Sequence, residues 1–145
     1  HNVAPPRLEE FFAEILRSGF VPILTHPERL QWIDAQYPLI KRLASIGVLM
    51  QITAGALAGA FGRTARYWAE RMLSEGCAHI LATDAHDMRH RAPDLARGFD
   101  LAAERVGQEE ARHLVLTRPA AVLANVSPTE MPPLAARSAV AGDTV

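Results

Sequence analysis

Gly47-Val48-Leu49-Met50-Gln51-Ile52-Thr53 decides the fold. A glycine stands where a helix ends, a nearly continuous apolar run follows, and a threonine closes it. Glycine suits the left-handed position just past a helix. A short apolar run bounded by turn residues reads as a strand covered on both faces. Pro38 to Ile46 supplies the preceding helix. The same order recurs on both sides. Upstream, Leu8, Phe11, Phe12, Ile15 and Leu16 repeat at helical spacing within Arg7–Ser18, Gly19 follows, and Phe20 to Thr25 reads as a strand. Downstream, Arg63 to Glu75 is helical, Gly76 follows, and Ala78 to Thr83 reads as a strand. Helices are further expected over Asp94–Val106, Gln108–Leu116 and Pro119–Asn125, with a small-residue loop over Ala54–Gly62. From Ser127 the chain is rich in Pro, Ala and Ser, which predicts a poorly ordered tail over 127–145.

A repeat of about thirty residues is normal for one strand-helix unit. The alternation therefore predicts an α/β protein built of parallel (β/α) units. Only three strands are legible, so the sheet is either small and open or part of a barrel whose other strands are missing.

Composition narrows the function. The chain has 145 residues, a formal net charge of −1, and 49% hydrophobic and 21% charged residues. That suits one domain with a sizeable core, and a strongly basic surface for nucleic acid is not indicated. No apolar run reaches the roughly 18 residues of a membrane span. A single cysteine, Cys77, excludes an internal disulfide and fits a reducing compartment, the cytoplasm.

Chemistry concentrates where the strands end. In parallel α/β folds active sites form at the carboxyl ends of the strands. Thr25 leads into His26-Pro27-Glu28-Arg29, and Thr83 leads into Asp84-Ala85-His86 and then Arg89-His90-Arg91. His26, Asp84 and His86 are a donor set suited to a divalent zinc, manganese or iron ion that activates water. Arg29 and Arg91 can present planar forks to a phosphoryl group. Glu28 can orient an imidazole from behind. Each piece also has a plainer reading. Asp84 can be a helix cap with His86 on the surface, Pro27-Glu28 can open a helix, and Arg29 can be a salt-bridge residue. His79, inside a strand, reads as packed rather than ligating. His113, amid Glu109, Glu110 and Arg112, reads as part of a wet helix face. Cys77 lacks the loop and arginine of a cysteine-dependent phosphatase, and no phosphate-binding loop or serine elbow is present.

The runs Pro22–Arg29, Gln51–Leu57 with Phe61-Gly62, and Ala82–His86 with Arg91 resemble the bacterial protein-tyrosine phosphatases of the polymerase-and-histidinol-phosphatase (PHP) superfamily, the enzymes of capsule and exopolysaccharide operons. The likeness covers roughly residues 8–126. It implies a distorted (β/α) barrel with divalent metals, usually manganese, at the strand ends. It implies hydrolysis of phosphotyrosine by metal-activated hydroxide, with His26, Asp84 and His86 as metal ligands and Arg29 and Arg91 on the phosphate. Arg89 and His90 have no counterpart in it. The implied partner is the tyrosine-rich tail of a membrane-associated kinase that controls polysaccharide export, and the family's ring-like assemblies imply a homo-oligomer. The His-x-His strand and other ligands of the family's first half are missing here. The chain thus resembles the C-terminal part of such an enzyme, with residues 1–126 in the barrel, weak or inactive by itself. Two alternatives stand beside this reading: a PHP phosphoesterase acting on a small phosphomonoester, and an inactive fragment that pairs through open sheet edges.

Overall fold

The structure, a computed structural model, describes residues 3–87 and 93–135. Its centre is a parallel three-stranded sheet of order β1 (Ile23–Thr25), β2 (Leu49–Thr53) and β3 (Ile80–Ala82). Thr25 pairs with Gln51, and Thr53 pairs with Ala82. Helices α1 (Leu8–Arg17), α2 (Ile33–Ser45) and α4 (Gly62–Ser74) precede the strands, with α3 (Ala54–Leu57) directly after β2. Beyond β3 come α5 (Leu95–Val106), α6 (Gln108–Arg112) and α7 (Arg118–Leu123).

The glycines end helices as the sequence requires. At Gly47 the backbone turns left-handed at φ 111°, and the Val48 amide reaches back to the Leu43 carbonyl at 3.1 Å. This closes α2 and aims the chain into β2. Gly76 closes α4 in the same way, with the Cys77 amide 2.8 Å from the Met72 carbonyl. The central strand is the driest: Met50 and Ile52 are fully buried among Ile40 and Leu43 of α2, Ala69 and Met72 of α4, and Leu81 of β3. At about 1.5–3 kcal/mol per buried aliphatic side chain, this cluster is the main support of the sheet. Helix α5 approaches α3 so closely that a Cβ on Gly98 would sit 2.9 Å from the Ala54 Cα. The edge strand β1 keeps Ile23 37% exposed.

Several local expectations are corrected. The expected loop Ala54–Gly62 begins with a helical turn, because Thr53 caps it by accepting from the Ala56 amide at 3.3 Å. Helix α2 starts five residues before Pro38, and the missing proline amide is accommodated by a non-helical Gln36 at φ −133°. Helices expected on either side of Pro119 join through a wide π-type turn over His113–Thr117. The stretch read as a wet face is partly interior, since Glu110 is buried and pairs with Arg118. Of the tail 127–145 expected to be poorly ordered, residues 136–145 lie outside the described residues, while 127–135 carry a 3-10 turn at Pro128–Glu130, and the carbonyls of Pro132 and Pro133 accept from Arg118 at 3.0 and 2.8 Å.

His79 is built into the sheet. The Met50 amide donates to its Nδ1 at 3.0 Å, so the ring is neutral with the proton on Nε2. Burial, and then the charge of Arg118, push its pKa down from 6.5 to about 4. The unfolded chain therefore takes up this proton first as pH falls, and the fold loses up to about 3 kcal/mol between pH 6.5 and 4. Thermal unfolding across that window should show the loss. His79→Asn keeps an acceptor but cannot titrate, so it should flatten the slope; equal slopes in both proteins would refute the assignment. Among the described residues no helix is long and apolar enough to cross a membrane.

Candidate functional site

The parallel ladder brings the carboxyl ends of all three strands to one rim. Both reactive segments leave it through strained backbone. His26 and Asp84 are left-handed at φ 41° and 53°, a conformation costing a non-glycine residue about 1–2 kcal/mol. Such strain gathers at functional sites. The His26 amide still bonds the Gln51 carbonyl at 2.7 Å, which anchors the residue to β2 before the 3-10 turn Pro27–Arg29 begins.

Inside that turn Glu28 is 1% exposed. Its Oε1 accepts from the Thr53 amide at 2.9 Å and from the Thr53 hydroxyl at 2.7 Å. Burial raises its pKa, against the opposing pull of the Thr53 bonds and of His26. Arg29 then reaches across the rim. Its Nη1 lies 2.9 Å from Asp84 Oδ2, and its guanidinium stacks 4.0 Å above the Phe61 ring. A cavity of ≈ 330 Å³ opens beside it, walled by Leu30, Asp34, Phe61 and Thr64.

The expected site residues divide as follows. Arg29 and Asp84 meet directly. His26 lies close enough for its charge to act on Glu28. His86 is exposed, and its Nδ1 lies 2.7 Å from the Asp84 carbonyl of its own loop. Arg91, with Arg89 and His90, lies outside the described residues. His26, Asp84 and His86 are metal-ligand types on one rim, yet among the described residues no three His, Cys, Asp or Glu side chains group closely enough to hold an ion. Cys77 stands before β3, at the opposite end of the sheet, where burial raises its pKa to about 11; a thiolate nucleophile is not offered.

Two features escaped the sequence reading. The Phe61 platform had no local signal beyond its place in the family-like run. The bond from Glu28 to Thr53 joins residues 25 positions apart, which no spacing rule reveals.

The family model described as "Capsular polysaccharide synthesis, CpsB/CapC" matches residues 6–124. The chain belongs to the CpsB/CapC family. CapC of Staphylococcus aureus is 37% identical over 99 residues, which cover 68% of this chain and 39% of the relative. YwqE of Bacillus subtilis, named a tyrosine-protein phosphatase, is 33% identical over 60% of this chain and 34% of its own length. A solved chain, from a study of YwqE and of CpsB of Streptococcus pneumoniae as unique metal-dependent tyrosine phosphatases, superposes with a TM-score of 0.82 at 27% identity. It covers 90% of this chain and 53% of the solved one. The CpsB/CapC chain described here thus spans well under two thirds of these relatives.

Proposed function

We propose that this chain forms one arc of the active rim of a metal-dependent protein-tyrosine phosphatase, and that its three strands belong to a PHP-type (β/α) barrel completed by sequence that the relatives have and this chain does not match. The Arg29 guanidinium, stacked on Phe61 and facing Asp84 at the strand ends, carries the reading. A planar cation fixed by an aromatic ring is preorganised for a tetrahedral anion.

In this reading Arg29 exchanges its contact with Asp84 for phosphoryl oxygens and steadies the charge that builds as the ester breaks. Arg91 is the second cation on the same group. The cavity beside Arg29 receives the aromatic ring of the substrate. His26, Asp84 and His86 are the donors this chain gives to divalent ions, manganese in our reading, with the other donors coming from the uncovered part. The chemistry those ions supply when bound is activation of water for attack on phosphorus. The substrate proposed is the phosphotyrosyl tail of a capsule-associated kinase, reached in the cytoplasm.

A substrate panel tests the specificity. The chain is joined to the amino-terminal part of the CapC relative and assayed with manganese. Faster turnover of phosphotyrosyl peptides than of small phosphomonoesters is expected; the opposite order would favour a small-molecule phosphoesterase.

A further inference from the structure

The run Gly55-Ala56-Leu57-Ala58-Gly59-Ala60-Phe61-Gly62 is glycine-rich without being a phosphate-binding loop, and its glycines are not alike. Gly59 and Gly62 turn left-handed at φ 83° and 87°, which accounts for a glycine at each. Gly55 has no such reason. It lies inside α3 without a left-handed backbone, where alanine would favour the helix and glycine weakens it. What stands against it is a ring. A Cβ on Gly55 would sit 2.9 Å from Phe61 Cε2, closer than side chains pack, with Cζ at 3.5 Å. The same ring lies under the Arg29 guanidinium at 4.0 Å.

We infer that Gly55 is a positioning residue for Arg29: its missing side chain is the space in which the Phe61 ring seats, and that seat sets where the guanidinium stands. The Gly55 carbonyl also accepts from the Ala60 amide at 2.8 Å, so the residue before Phe61 is tied to the seat through the backbone. The turn that carries Arg29 refers to the same point, because Glu28 holds Thr53 and Thr53 caps α3. A second contact of the guanidinium is Asp84. In the phosphatase reading, on which the catalytic consequence rests, phosphoryl oxygens take the place of Asp84, and the Phe61 face then keeps the cation aimed. A guanidinium moved by about an ångström loses the alignment of its planar fork with a phosphoryl group.

NMR of the 145-residue protein reads the seat without catalysis, so failure here and failure of the phosphatase reading are distinguishable. The Arg29 Hε proton, assigned through Arg29→Lys, is expected upfield of ordinary arginines because of the Phe61 ring, and Phe61→Leu should abolish that displacement. Gly55→Ala should keep or raise the unfolding midpoint, since alanine favours the helix and the atom it meets is the edge of a side chain, yet it should reduce the upfield displacement. In the joined enzyme of the substrate panel, Gly55→Ala should lower kcat/KM for a phosphotyrosyl peptide by about tenfold or more, an ångström of misplacement costing about 10²-fold. In a Phe61→Leu background the same change should cost nothing further. An Arg29 proton unmoved by Gly55→Ala, or a full kinetic loss in the Phe61→Leu background, would overturn the inference. So would an ordinary Arg29 shift in the wild type, a result that stands even if a variant fails to fold.

Discussion

Replacing Arg118 with methionine is expected to destabilise the fold by about 3–5 kcal/mol, the usual cost of removing one partner of a buried ion pair. Arg118 is 2% exposed. Its guanidinium meets Glu110 through two bonds of 2.7 and 3.0 Å, the Pro132 and Pro133 carbonyls at 3.0 and 2.8 Å, and the His79 carbonyl at 3.3 Å. The variant would leave a buried carboxylate and three carbonyls without their donor. It would also free the chain after α7 from the end of the sheet. Urea unfolding measures the loss, and a change below about 1 kcal/mol would contradict the account. The double variant Arg118→Met/Glu110→Leu should recover much of it, since apolar replacement of a whole buried pair is often neutral.

The second large effect concerns chemistry and spares the fold. Arg29→Lys in the completed enzyme should lower kcat for a phosphotyrosyl peptide by about 10²–10³, the range for losing one preorganised charge-stabilising donor. Lysine keeps the charge but loses the planar fork and the stack on Phe61. Stability should hardly change. The Arg29–Asp84 pair is only partly covered, with 28% and 22% of the side chains exposed, and such pairs contribute about 0.2–1 kcal/mol. Steady-state kinetics beside thermal unfolding separates the two effects. Equal kcat in both proteins would remove Arg29 from the phosphate.

These two residues mark the boundary of what the sequence reveals. Arg29 stands beside a strand end, so the rule that parallel sheets work at their carboxyl rims singles it out. Arg118 sits after a run of charged residues that reads as solvated, and nothing local announces that Glu110 turns inward to meet it. Helix, glycine and strand were legible because each is written in adjacent residues: Gly47 ends α2 and the apolar run after it is β2. The Glu28 strut and the Phe61 platform under Arg29 depend on contacts across 25 and 32 positions, and those arise only when the strands pair. Pro38 misled for a local reason, because one non-helical residue at Gln36 lets helix continue on both sides of it.

The most direct measurement compares the 145-residue chain alone with the same chain joined to the amino-terminal part of a CapC relative, both given phosphotyrosyl peptide and manganese. The account predicts phosphate release near background from the chain alone, and release from the joined protein that a chelator abolishes. Equal release from both, or chelator-resistant release, would contradict it.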